Sequence, residues 1–307
     1  MTPLPNPEQL ALALRAVRAR FAASPLESWN GLCWKLETEL PTRAFKVRGA
    51  VVAFDRLAAS GATGLVAASA GNHGLGLAWA TEGSGMPLTV VVPRECPEVK
   101  RSRLAASPHV ELLVCQTPGY DAAEAMAREL ATATGRPFVS PFDDTWVMAG
   151  NGGTAALEVF DACPDAATWV VPVGGGGLLA GVLAARRLLA ERGEAVPEVV
   201  AVQSEASPAF AASLRDGRAW LHWPAAATLA EGLEGGTGAA AVDAALRAGV
   251  RCILVSEAGI AEAMQRCQAR GWRVEGSAAV VEAARASAAL AAFREPIVGW
   301  LTGANVA

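Results

Sequence analysis

Lysine is scarce in this 307-residue chain: of 26 basic side chains only Lys35, Lys46 and Lys100 are lysines, the rest being arginine. Arginine serves wherever a fixed positive charge is enough, but it cannot deprotonate to become a nucleophile, so each lysine raises the question of whether its amine is needed. Histidine is equally sparse, with His73, His109 and His222 alone, too few and too scattered for a metal cluster or a persuasive Ser/His/Asp triad. The six cysteines, Cys33, Cys96, Cys115, Cys163, Cys252 and Cys267, include no CxxC pair, which argues against a disulfide frame or a zinc site and predicts reduced, mostly buried thiols. A formal charge of −4 leaves no basic footprint for nucleic acid, and no run is both long and apolar enough to cross a bilayer. The arginine-bearing helical stretch from Ala11 to Arg20 lacks the apolar core of a signal peptide, so a cytoplasmic protein acting on a small molecule is expected.

What is present is 52% hydrophobic residues, enough for substantial cores, arranged as short apolar runs alternating with alanine-rich segments. Strands are expected at 64–69, 88–93, 110–115, 168–173, 198–202, 252–256 and 296–301. Helices are expected at 121–134, 153–162, 178–192, 238–248, 258–270 and 277–292. Strands that are apolar on both faces and separated by helices of this length predict an α/β protein with open, mostly parallel sheets covered by helices. Pro/Asp-rich SPFDDTW (140–146) and the region near Gly49 mark boundaries, giving a small domain at 50–143 and a large one from 1–49 and 144–307. In such sheets ligands sit beyond the carboxyl ends of strands, so the loops there should hold the chemistry.

Three loops stand out. In PVGGGGLLAG (172–181) four glycines follow a strand and precede a helix; the amides of Gly174, Gly175, Gly176, Gly177 and Leu178 can approach an anion closely at a helix N-terminus, making a phosphate cup. The pattern is neither GxGxxG nor GxxxxGKS, which weighs against nucleotide readings. ASAGNHGLGLAWA (68–80) places Ser69, Asn72 and His73 beside exposed amides, a cradle for a carboxylate or a ring hydroxyl. In LPTRAFKVRGA (40–50), Lys46 opens a helix where the macrodipole is unfavourable to its charge, which lowers its pKa and suits a Schiff-base amine.

Together these segments resemble the threonine/serine dehydratase family of the fold type II, tryptophan synthase β-like, pyridoxal phosphate enzymes. FKVRGA resembles that family's lysine segment, SAGNHG its asparagine loop, PVGGGGLLAG its phosphate loop, LAEGL (229–233) its sheet-edge segment and LTGANV (301–306) its C-terminal Ser/Thr segment. VMAGNGGTAALEVF (147–160) adds a sixth similarity. The motifs occur in the family's order over nearly the whole chain. The resemblance implies pyridoxal 5'-phosphate carried by Lys46 as a Schiff base, with Phe45 beside the ring and Asn72 on the ring hydroxyl. It further implies that Gly174, Gly175, Gly176, Gly177 and Leu178 hold the phosphate, that Gly232 lies against the opposite ring face and that Thr302 faces the pyridine nitrogen. Ser69, Asn72 and His73 would then hold the substrate carboxylate. The implied reaction removes water from a β-hydroxy-amino acid of serine, threonine, 3-hydroxyaspartate or phenylserine type, giving a 2-oxo acid and ammonia in a homodimeric enzyme.

Departures from the family pattern refine this. Ala44 stands where serine often precedes the Phe-Lys pair, weakening any claim to threonine in particular. Ala70 stands where racemases of the family put a second serine, so racemisation should be poor. Glu205 matches one ligand of the divalent-ion site of some relatives, but Ala209 and Ala211 occupy the region of the others, so no metal is expected. The chain ends just after the Thr302 segment, so a C-terminal regulatory domain and feedback inhibition by isoleucine are not expected. Trp220 and Trp223 precede LAEGL and are candidates to line a larger substrate pocket. The alternatives are an amino-acid racemase or β-replacement enzyme on the same scaffold, or a catalytically silent cofactor-binding protein.

Overall fold

The computed structural model describes residues 2–224 and 226–306. Its strands are β1 (Leu26–Trp29), β2 (Leu32–Leu36), β3 (Leu65–Ala68), β4 (Leu88–Val92), β5 (Val110–Val114), β6 (Thr168–Pro172), β7 (Glu198–Ser204), β8 (Arg251–Val255) and β9 (Ile297–Leu301). They form a six-stranded sheet in the order β1-β2-β9-β6-β7-β8 and a three-stranded sheet β3-β4-β5. Each of the seven expected strands is present, and each pairs in parallel with its neighbours. β3, β4, β6 and β9 are buried along their whole length, as an apolar run without alternation requires when helices cover both faces.

β1 and β2 were not among the expected strands. They form an antiparallel hairpin whose two-residue loop is Asn30-Gly31, with φ of 50° and 82°. Both loop residues need left-handed backbone, which Asn-Gly supplies at little cost, and the primed turn matches the twist of the strands. The dipeptide is the signal that reveals it.

The helices are α1 (Pro7–Arg18), α2 (Lys46–Ala59), α3 (Asn72–Thr81), α4 (Glu98–Ala105), α5 (Tyr120–Thr134), α6 (Thr145–Met148), α7 (Thr154–Ala162), α8 (Gly177–Glu191), α9 (Ala209–Asp216), α10 (Ala239–Ala248), α11 (Glu257–Ala269) and α12 (Gly276–Ala286). The helix expected over 277–292 therefore stops at Ala286. Ala288 turns left-handed (φ 59°) and the Ala289 amide reaches back to the Ala284 carbonyl, a cap usually built on glycine. An alanine in that position, within an alanine-rich run, hides the stop.

Two packing features fix the part of the fold that carries the candidate site. Between α6 and α7 a π-helical turn, Ala149–Gly153, wedges against both α2 and α8. A Cβ on Gly150 would lie 2.6 Å from Gly49 Cα, and one on Gly152 would strike the Leu178 carbonyl, so neither helix leaves room for a methyl group. Asn151 joins this contact through its Oδ1, which accepts from the Gly49 amide at 2.9 Å. Beneath it, Arg48 is fully buried and donates to Glu37 and Glu158 at 2.6–3.0 Å, while Lys35 donates to Glu158 at 2.7 Å and to the Ser24 carbonyl at 2.8 Å. Two cations and two carboxylates balance one another. Removing one member of such a set leaves an uncompensated buried charge, at a cost of about 3–5 kcal/mol.

Candidate active site

The three lysines part ways in the structure. Lys35 belongs to the buried charge cluster, and Lys100 on α4 pairs with Glu231. Lys46 alone, among the described residues, has no carboxylate partner; its Nζ donates to the Pro141 carbonyl oxygen at 2.7 Å and sits 5.0 Å from the centre of the Phe45 ring. Burial without a counter-charge pushes its ammonium down to about 8 from the ordinary 10.5. Part of the amine population is therefore neutral, and nucleophilic, near neutral pH.

The other segments named from the sequence converge on this lysine through backbone contacts. The Phe45 amide donates to the Thr302 carbonyl at 3.0 Å, and the Ala304 amide to the Arg43 carbonyl at 2.9 Å. α3 crosses α2 at Gly76, where a Cβ would come within 3.2 Å of the Lys46 backbone. Pro141, the acceptor for Lys46, precedes Phe142, whose ring is where a Cβ on Gly175 would fall, 2.7 Å away.

The glycine loop is built from backbone. A Cβ on Gly174 would meet Leu233 Cα at 2.7 Å, one on Gly177 would meet Phe142 Cα at 2.7 Å, and Gly176 is left-handed with φ 89°. Glycine is the residue that can stand at these four places. Among the described residues, the amides of 174 to 179 donate to no backbone carbonyl or side chain, and α8 has no side-chain cap. Unpaired amides in a buried loop are costly unless an anion takes them, and the helix dipole adds to their pull.

The asparagine loop is built from side chains. The Ser69 hydroxyl accepts from the amides of Gly71 (3.2 Å) and Gly74 (3.0 Å), closing its own loop. His73 Nε2 lies 3.0 Å from the Val139 carbonyl, which can only accept, so that nitrogen carries the proton and Nδ1 is a bare acceptor without a partner. Burial first, and then the charge of Lys46, pushes this imidazole down to about 3. The His73 ring thus spends its one proton on Val139, and the Ser69 hydroxyl proton points at the Gly71 carbonyl at 3.4 Å. The free donors here are the amides of Ala70, before α3, and of Asn72 and His73 in its first turn, which find no acceptor among the described residues.

Asn72 is bound to two residues that no sequence motif singled out by role. Its Nδ2 donates to both oxygens of Glu275 at 3.0 Å, and its Oδ1 accepts from Asn305 Nδ2 at 2.8 Å. Asn305 lies within LTGANV and could have been found there; Glu275, before α12, carries no comparable signal. Thr302 is buried, and its hydroxyl makes no hydrogen bond among the described residues. Gly232 is exposed, its Cα facing open space apart from Ser277. Glu205 is exposed and forms no ion pair among the described residues, and no group of three metal-ligating side chains occurs among them. Trp220 and Trp223 pack edge to face against each other, with Trp220 donating to Asp216 and lying under Arg218. Cys96, Cys115 and Cys267 are buried, Cys33, Cys163 and Cys252 half-buried, and all are free thiols.

Residues 17–303 match the family model of pyridoxal-phosphate dependent enzymes. An L-threonine ammonia-lyase of Thermotoga maritima is 38% identical over 188 residues, 60% of this chain and 45% of that enzyme. The crystal structure of the T.th. threonine deaminase is similar with a TM-score of 0.88 and 30% identity, covering 99% of both chains. The serine racemase of Dictyostelium discoideum follows with 0.86 and 26% identity, again over 99% of both. The matched part of this chain spans less than half the length of the first curated relatives.

The residues present suit pyridoxal phosphate, the cofactor that the matching family is named for. Unpaired amides around a glycine loop match a phosphate, an amine without a counter-charge matches an aldehyde, and a hydroxyl without a partner matches a neutral ring nitrogen. On its sequence match and its fold, the chain belongs to the pyridoxal-phosphate dependent enzymes, in the threonine/serine dehydratase family of fold type II.

Proposed function

We propose that the chain is a pyridoxal phosphate-dependent ammonia-lyase that removes water from a small β-hydroxy-amino acid and releases a 2-oxo acid and ammonia. The observation that carries this reading is the position of Lys46: a desolvated amine without a counter-charge, bound to Pro141 next to the Phe142 that packs on the glycine loop, on a helix that α3 crosses at Gly76. When bound, the cofactor supplies an electron sink for negative charge developing at the substrate α-carbon.

In this reading Lys46 carries the cofactor, and Gly174, Gly175, Gly176, Gly177 and Leu178 hold its phosphate. Phe45 and Gly232 flank its ring, and Asn72 donates to the ring oxygen. The α3 amides of Asn72 and His73 bind the substrate carboxylate. That contact fixes which bond at the α-carbon faces the Lys46 amine, which, neutral in part near pH 8, takes the α-proton as a general base. Thr302 offers the ring nitrogen a neutral hydroxyl, which cannot hold a proton there as a carboxylate would; this favours loss of a β-substituent over transamination. Racemisation needs a proton donor on the opposite face, and the Ala70 methyl has no proton to give. The division into 50–143 and 1–49 with 144–307, a homodimeric assembly and a cytoplasmic location belong to the same reading; no described helix is long and apolar enough to cross a membrane.

The test is a panel of serine, threonine, 3-hydroxyaspartate and 3-phenylserine assayed for 2-oxo acid and ammonia. The protein is expected to turn over at least one of them, and Lys46→Ala to lose both turnover and the long-wavelength absorption of the bound cofactor. D-amino acid formation without ammonia, or an unchanged spectrum in Lys46→Ala, would overturn the proposal.

A further inference from the structure

The hydrogen bonds around Asn72 fix its amide without ambiguity. The Thr42 carbonyl can only accept, so the Asn305 group lying 2.7 Å from it is the amide nitrogen. That same nitrogen meets Asn72 at 2.8 Å, so the Asn72 atom facing it is oxygen. The Asn72 nitrogen therefore faces Glu275, whose carboxylate also accepts from the Asn305 backbone N–H at 2.7 Å and the Ser277 hydroxyl at 3.3 Å. Both carboxylate oxygens stand 3.0 Å from that one nitrogen. Two oxygens of a single carboxylate subtend too narrow an angle for both amide protons, so one N–H is shared between them and the second points elsewhere. Glu275 is held as firmly as it holds: its own amide donates to the Gly303 carbonyl at 2.9 Å, and a Cβ on Gly303 would lie 2.9 Å from its Oε1.

We infer that Glu275 is a positioning residue which, with Asn305, locks the Asn72 amide so that its second N–H is presented to the ring oxygen of the cofactor. This rests on the reading of Asn72 as a cofactor contact and not on which amino acid is the substrate. Asn72 opens α3 beside the three-stranded sheet, whereas Glu275 and Asn305 belong to the segments around β9 and α12, so the lock also ties one side of the site to the other. A glutamine in place of Glu275 keeps the size but puts an NH2 where one of the two carboxylate oxygens stood 3.0 Å from the Asn72 amide nitrogen. Donor then faces donor there, whichever end the oxygen takes, and the Asn72 amide loses its fixed orientation.

The experiment adds pyridoxal phosphate to the cofactor-free protein and follows the nine tryptophans by fluorescence and the cofactor by absorption, for the parent, Asn72→Ala, Glu275→Gln, Glu275→Asp and Asn305→Ser. Glu275→Gln is expected to bind pyridoxal phosphate about tenfold more weakly and to shift its absorption maximum, in the same direction as Asn72→Ala, with the unfolding temperature of the cofactor-free protein unchanged. Glu275→Asp should recover part of the affinity, and Asn305→Ser should show a smaller shift of the same sign; the latter carries the test if Glu275→Gln does not fold. If Asn72→Ala shifts the spectrum while Glu275→Gln and Asn305→Ser bind as the parent does, the inference falls and the reading of Asn72 stands. If Asn72→Ala itself changes nothing, both fall. A loss in Glu275→Gln matched by a lower unfolding temperature and not relieved by aspartate would mean that Glu275 only starts α12, and would also overturn it.

Discussion

The two ends of the candidate site that offer free amides are made of different material. At the glycine loop the donors are backbone amides, and the side chains are excluded by packing: a methyl on any of the four glycines would run into Leu233, Phe142 or Ala241. At the asparagine loop the side chains do the holding, each engaged by another polar group: Ser69 by its own loop, His73 by Val139, Asn72 by Glu275 and Asn305. An end built from backbone has one solution and tolerates no substitution. An end built from side chains can be retuned by changing the partners, because each contact is one of several a different residue could make.

That contrast can be broken by measurement, and the largest effect should come at the backbone end. Gly176→Ala forces a left-handed φ of 89° on alanine and drives its Cβ into that of Ala241, so a loss of about 2–4 kcal/mol of stability and of most cofactor affinity is expected, read by unfolding and by pyridoxal phosphate titration. A tolerated Gly176→Ala would show that the loop is not packed as described. Ser69→Ala removes the acceptor for two amides and should cost about 1–2 kcal/mol while leaving cofactor affinity nearly intact. Equal damage to cofactor binding from Ser69→Ala and Gly176→Ala would erase the distinction between the ends.

A third test uses acid. His73 in the folded protein is pushed down to about 3, whereas the unfolded chain takes up the proton near the ordinary 6.5. Between these values the unfolded state binds more protons, so stability present above pH 6.5 is lost as pH falls toward 3. His73→Gln, whose Nε2 reaches as far as the imidazole Nε2 and can still donate to the Val139 carbonyl but does not titrate, should flatten that part of the unfolding profile; an unchanged slope would mean that the ring is not buried neutral. The smallest effect is expected at the rim. Lys100 and Glu231 form a largely exposed pair between α4 and the segment carrying Gly232, and Lys100→Met should change stability by less than about 1 kcal/mol.

The same contrast explains what could be read from the sequence. Glycines needed for close approach announce themselves in a row, and seven of the nine strands are apolar runs, so those strands were legible and the glycine loop and Lys46 stood out as candidates. The β1–β2 hairpin was missed because LESW and LCWKL are short and interrupted by charge, although Asn30-Gly31 marks the turn. Contacts made by side chains over long separations leave no local trace: Asn72 and Glu275 are 203 positions apart. For the same reason the exposed amides beside Ser69, Asn72 and His73 could be read from the sequence, whereas the partners that engage the Ser69 and His73 side chains could not.

The poverty in lysine has an experimental consequence. Of the three ε-amines, Lys35 is sealed inside a salt-bridged interior, where burial lowers its proton affinity too, and Lys100 is tied to a surface carboxylate; Lys46 combines a lowered proton affinity with the lack of any carboxylate partner among the described residues. An acylating reagent applied to the cofactor-free protein near pH 8 should therefore sort these amines by rate, and protection by added pyridoxal phosphate would turn a general amine label into a gauge of cofactor occupancy.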